Sequence, residues 1–133
     1  MNTLEEKLSI LSEMIAFAKA DQDLKDSEYD FLFSVASNLG VSKKTFDSLF
    51  SKKVAKLIPR TQAERILQFH RLVLLMNVDN DQRLIEISKL HNIGLGMGLP
   101  PSAIEQVLIV MHNYPDKIVP PDVLINIFKA HYN

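Results

Sequence analysis

The sequence contains no cysteine, which excludes disulfides, thiolate metal sites and a cysteine nucleophile. Long apolar runs are absent too. Uninterrupted ones such as Leu72 to Met76 and Val107 to Met111 fall far short of the ~20 residues that a membrane-spanning helix needs, so no membrane span is expected. Glycine is scarce, with four residues, and net charge is nearly absent at −1. A general nucleic-acid binder carries a more basic balance than this, so no nucleic-acid partner is expected. The start, Met1-Asn2-Thr3-Leu4-Glu5-Glu6, lacks the basic head and apolar stretch of a signal peptide, and the expected location is cytoplasmic.

What remains is an ordinary globular composition, 47% hydrophobic and 23% charged over 133 residues, enough chain for one core and one domain over residues 1–133. The charge is unevenly placed. Residues 1–41 hold eight acids against three lysines, whereas residues 42–60 hold Lys43, Lys44, Lys52, Lys53, Lys56 and Arg60 against Asp47 alone. That basic segment reads as a solvated face, or as a contact for an anionic partner.

The apolar spacing is helical throughout. Thr3-x-x-Glu6 is a capping box opening a helix that ends near Ala20, with Leu8, Leu11, Ile15 and Ala18 as its stripe and Leu4, Met14 and Phe17 widening it. Asp26 or Ser27 caps a second helix bearing Phe31, Leu32, Val35, Ala36 and Leu39, and Gly40 fits its C′ position. Ser42 caps a short third helix, and Val54 to Ile58 is expected to add another. Thr61-x-x-Glu64, again a capping box, opens the second half, whose helix is apolar nearly all round from Phe69 to Val78 and is placed in the middle of the domain beside helix one. Further helices are expected from Asp81 to Ile93, from Pro100-Pro101-Ser102 through Met111, and from Pro120-Pro121-Asp122 onward.

Sliding the chain by 58 residues lays residues 8–50 over 66–108 and aligns five identical positions: Asp21/Asp79, Asp23/Asp81, Glu28/Glu86, Leu32/Leu90 and Gly40/Gly98. Apolar positions pair as well, among them Leu11/Phe69, Ile15/Val73 and Phe46/Ile104. The expected fold is therefore all-α, a duplicated helical bundle of about seven or eight helices with pseudo-twofold related halves.

Each unit centres on the pattern D-x-D-x-x-x-x-E. Asp21, Asp23 and Glu28 form one candidate metal site and Asp79, Asp81 and Glu86 the other, because paired loop aspartates and a glutamate one turn into a helix offer hard oxygen ligands suited to Ca²⁺, Mg²⁺ or Mn²⁺. The spacing is not that of an EF-hand, whose bidentate glutamate falls at the twelfth position. The same acids also serve as helix caps and as first-turn anions favoured by the helix dipole. Asp21, near the C-terminal end of helix one, needs a compensating cation, whether metal, Lys or Arg.

At these residues the chain resembles the TerB-like family, the tellurite-resistance TerB proteins and their relatives, including the N-terminal domain of a DnaJ-type co-chaperone. The resemblance is carried by Ala20-Asp21-Gln22-Asp23-Leu24, Glu28 and Leu39-Gly40-Val41-Ser42. Gln22 and Asn80 stand where the family has a turn glycine, and Gln82 fills an aliphatic slot. The resemblance implies an all-α bundle with duplicated halves, an acidic surface holding divalent cations at Asp21, Glu28, Asp79 and Glu86, and a tellurite-resistance or stress context. Asp23 and Asp81 rest on the internal repeat alone.

His70, His91, His112 and His131 share no helical spacing that makes a metal pair. Gly94-x-Gly96-x-Gly98 is neither a dinucleotide nor a phosphate loop and is better explained by close helix packing and the C′ position, and Met76, Met97 and Met111 are expected in the core. No nucleophile or general base is marked, so neither a catalytic residue nor an organic cofactor is expected. The expectation is a non-enzymatic binding module with a protein partner, which holds divalent cations at its acidic corners. The alternative is a metal-free protein–protein adaptor in which the acids are caps.

Overall fold

Thr3 opens the first helix, α1 (Leu4–Ala18), by a reciprocal pair of bonds. Its hydroxyl accepts from the Glu6 N–H at 3.2 Å, and Glu6 Oε1 accepts from the Thr3 N–H at 2.8 Å, satisfying two donors a helix start leaves free. The computed structural model describes residues 2–19, 24–78 and 84–131. The remaining helices are α2 (Asp26–Asn38), α3 (Lys43–Ser48), α4 (Gln62–Met76), α5 (Leu84–Gly96), α6 (Pro101–Val110) and α7 (Pro121–Ala130). Single 3₁₀ turns at Met111–Asn113 and Pro115–Lys117 join the last two. No strand occurs among the described residues, so the chain is an all-α bundle. None of its described helices is long and apolar enough to cross a membrane.

The apolar stripes bury as their periods require. On α1, Leu11, Met14, Ile15, Phe17 and Ala18 are buried, but Leu4 is 61% exposed and does not widen the stripe as expected, since it sits in the first turn beyond the reach of the core. α4 buries Phe69, Leu72, Val73, Leu75 and Met76 and packs against α1, α2 and α5, the central place its all-round apolarity predicts. Phe17, Phe46, Phe69 and Phe128 are fully buried, as are Met76 and Met111, and Met97 is buried beside them. Each such side chain contributes roughly 1.5–3 kcal/mol of transfer free energy.

Both two-helix corners close with the same device. Gly40 at φ 77° and Gly98 at φ 81° occupy the left-handed region. Behind them Val41 N–H bonds to Ala36 O at 2.9 Å and Leu99 N–H to Gly94 O at 3.0 Å, the long bond of a Schellman motif.

Four boundaries differ from the sequence expectation. α2 is capped at Lys25 rather than at Asp26 or Ser27, because Glu28 reaches back to the Lys25 N–H and lets the helix start one residue earlier. α5 runs to Gly96 instead of stopping at Ile93, and Gly94 is what permits it: a Cβ there would lie 2.6 Å from Ile104 Cδ1 of α6. α6 ends as an α-helix at Val110 and finishes in a 3₁₀ turn rather than continuing through Met111. Finally, no helix forms over Val54–Ile58. Residues 53–59 instead run without helix, turn or bend as a strap over α1, because the Leu57 backbone bonds to a side chain of α1 instead of to its own neighbours.

Candidate functional site

The two acidic corners are seen in part. Asp21, Asp23, Asp79 and Asp81 lie outside the described residues. Glu28 stands at the third position of α2 and is buried, 5% exposed. Its Oε1 accepts from the Lys25 N–H at 2.9 Å, taking up one of the donors that a helix start leaves free. Glu86 occupies the first turn of α5 and is 6% exposed. Among the described residues no group of three or more His, Asp or Glu side chains is placed to hold a metal ion. One carboxylate per corner is therefore what the described geometry contributes, and a cation there requires the four aspartates as well.

None of the histidines belongs to a group of three or more potential ligands among the described residues. His131 joins α7 to α6, its Nδ1 at 2.8 Å from Ser102 Oγ and its Nε2 at 2.8 Å from Gln106 Oε1. His70 lies half-buried on α4, where desolvation pushes its pKa below the ordinary value, against the opposing effect of the Val119 carbonyl.

Charged groups also pin the first half together. Tyr29 donates its hydroxyl to Asp47, and Lys43 Nζ meets the other Asp47 oxygen at 2.7 Å. Lys43 and Tyr29, in that order, hold the Asp47 carboxyl below its usual range. Tyr29 in turn packs its ring on Phe46 and Phe50 at centroid distances of 5.4 and 5.8 Å. This cluster docks α3 on α2 and is structural in character.

A second candidate site, which the sequence did not mark, lies along the strap. Ser9 Oγ of α1 accepts from the Leu57 N–H at 2.8 Å and lies 3.4 Å from the Leu57 carbonyl, so a single hydroxyl holds both polar groups of one strap residue. Two ion pairs flank this clasp, Lys56 Nζ to Glu13 Oε2 at 3.5 Å and Arg60 Nε to Glu6 Oε2 at 3.3 Å. Glu13 also accepts from Gln68 Nε2 at 3.0 Å, and the Arg65 guanidinium donates to the Pro59 carbonyl at 2.7 Å. Between the strap and α5 runs a groove of about 470 Å³ with Leu57, Ile58, Ile93 and Met97 as apolar walls and Lys56 and Lys89 at its sides. Leu57 and Ile58 are 42% and 54% exposed. The basic run of residues 52–60 was legible in the sequence; the groove beside it depends on Ser9, Glu13 and Lys89, which come from two helices distant along the chain.

No family model matches this chain, and no curated protein or solved structure matches it either.

Proposed function

We propose that the chain is a non-enzymatic protein-binding module of TerB-like layout, an adaptor built from a duplicated helical unit, with the corner glutamates serving as helix caps. The duplication is supported by the element boundaries. α1 and α4 have 15 residues each and α2 and α5 have 13 each, and they start at the same displacement of 58 residues, as do α3 and α6. The two Schellman glycines keep that displacement. Ile10 and Gln68, counterparts at 58 residues, meet through the Gln68 side-chain amide, and a residue touching its own counterpart is what a pseudo-twofold axis between α1 and α4 requires.

The observation that carries the functional reading is the use already made of Glu28. Its carboxylate is buried and one of its oxygens caps the start of its own helix, while exposed Leu57 and Ile58 stand beside Lys56 and Arg60 on the strap. The melting temperature in chelator and in millimolar Ca²⁺, Mg²⁺ or Mn²⁺ tests it. The adaptor reading expects no difference, together with a partner interaction lost on reversing Lys52, Lys53 and Lys56.

One observation favours a second reading. Glu86 is buried at the position equivalent to Glu28, so both corners keep an inward carboxylate. In that reading Asp21, Asp23 and Glu28 hold one divalent cation and Asp79, Asp81 and Glu86 another, within the cytoplasmic tellurite or stress context the resemblance implies. It expects cations to raise the melting temperature, and Asp21→Asn with Glu28→Gln to abolish the rise.

A further inference from the structure

We infer that the strap, residues 53–59, is a strand edge that takes up an acidic, extended peptide segment of a partner protein. The inference rests on the adaptor reading above and gives its partner a chemistry.

In an extended segment the N–H and C=O of one residue point to the same side, and those of its neighbours to the opposite side. Leu57 turns both groups onto Ser9 of α1. The main-chain groups of Lys56 and Ile58, on either side of it, make no hydrogen bond to α1 or to any other described residue. No backbone–backbone hydrogen bond joins residues 53–58 to any other part of the described chain, so the outward edge carries unpaired donors and acceptors at the spacing that a second strand matches. A helix presents no such complementary row, and an extended peptide does. A strand added there lies about 4.7–4.9 Å away, beside the 470 Å³ groove whose walls are Leu57, Ile58, Ile93 and Met97. Alternate side chains of the incoming peptide enter that groove.

Charge selects the occupant. Lys52, Lys53, Lys56 and Arg60 lie along the strap, and Lys89 faces it across the groove. Glu13 and Glu6 engage Lys56 and Arg60, but Lys52, Lys53 and Lys89 have no carboxylate partner among the described residues. A second copy of the chain pairing through the same edge sets lysine against lysine, which is unfavourable and is the usual protection of an edge against self-association. An acidic segment reverses the sign of that term, so the same lysines that deter self-pairing recruit the partner.

The test uses the full chain and a fluorescein-labelled peptide of alternating Glu and Val, with two control peptides: alternating Lys and Val, and Glu-Val with its alternate amides N-methylated. The Glu-Val peptide is expected to bind, to slow hydrogen exchange at the Lys56 and Ile58 amides and to leave the Leu57 amide unchanged. Both controls are expected to bind at least about tenfold more weakly. The triple variant Lys52→Glu, Lys53→Glu, Lys89→Glu is expected to lose the same factor with an unchanged melting temperature. Equal binding of the N-methylated peptide overturns strand pairing, equal binding of the Lys-Val peptide overturns the charge selection, and absence of Glu-Val binding at millimolar concentration overturns the inference entirely. The cation melting series on the same sample separates the two levels. A cation-dependent rise lost in Asp21→Asn with Glu28→Gln displaces the adaptor reading whatever the peptides do, whereas cation-indifferent melting without peptide binding displaces only the strand edge.

Discussion

Gln68 donates its side-chain amide to the main-chain carbonyl of Ile10 at 3.3 Å and to Glu13 Oε1 at 3.0 Å, from a position 1% exposed. One side chain of α4 thereby satisfies both a backbone acceptor and a carboxylate of α1, and its own oxygen accepts from Arg71 at 3.2 Å. A polar group buried at a helix–helix contact is tolerable only when it is bonded in this way.

Gln68→Ala strips a donor from the buried Ile10 carbonyl and from the part-buried Glu13 carboxylate, and it opens a cavity between α1 and α4. The expected loss is about 1–3 kcal/mol, seen as a lower urea midpoint with an unchanged slope. An alanine variant as stable as the parent chain sinks this account of the α1–α4 contact.

Two neighbouring glycines should respond with opposite signs. At Gly94 an added Cβ lies 2.6 Å from Ile104 Cδ1 and 3.4 Å from Phe69 Cδ1, and both neighbours are fully buried, so Gly94→Ala forces α5 and α6 apart and lowers the melting temperature. At Gly96 nothing lies within 4 Å of an added Cβ, and the residue is helical. Gly96→Ala is therefore expected to stabilise by about 0.4–1 kcal/mol, through a less disordered unfolded chain. Thermal melts of the two single variants decide it; a shift of the same sign in both contradicts the packing argument.

The same glycines show what the sequence disclosed and what it withheld. The helical stripes, the Thr3 and Thr61 caps and the C′ glycines Gly40 and Gly98 were readable because each depends on residues within a few positions of one another. The end of α5 was not, because propensity stops a helix at Gly94 while packing on Ile104 carries it to Gly96. Val54 to Ile58 is a short apolar run that fits helix or extended chain equally well. The choice was made by Ser9, far away along the chain. Of the six acids marked as a candidate site, Glu28 and Glu86 are found buried, a property of tertiary packing that no local pattern announces, and the four aspartates lie outside the described residues.

His70 gives the stability a pH dependence of known sign. Burial holds its folded pKa below the 6.5 of the free side chain, with the Val119 carbonyl opposing. In the interval between the folded pKa and 6.5 the unfolded chain binds the proton more readily, so stability is full above pH 6.5 and is lost as the pH falls through the folded value. Urea midpoints for the parent chain and for His70→Leu at about pH 7.5 and about pH 5.5 measure it. The parent is expected to lose more on acidification than the variant; an equal loss removes His70 as the source.

Ser9 holds the strap with one hydroxyl, at 2.8 Å from the Leu57 N–H and 3.4 Å from its carbonyl. Ser9→Ala leaves both Leu57 groups to water at an exposed edge, so the expected global cost is modest, about 0.5–1.5 kcal/mol. The local effect is larger. With its clasp gone, the middle of the strap keeps the Lys56 and Arg60 ion pairs, both on side chains more than two-thirds exposed, which contribute little, and the Arg65 bond holds only its last residue, Pro59. Tryptic cleavage after Lys56 is therefore expected to accelerate well beyond what the change in global stability allows, and the Leu57 amide to exchange at the rate of an unprotected one. Ser9→Thr, which keeps a hydroxyl on the same carbon, is expected to restore most of the protection. Cleavage that accelerates only in proportion to global unfolding would mean that the strap is held by something other than Ser9.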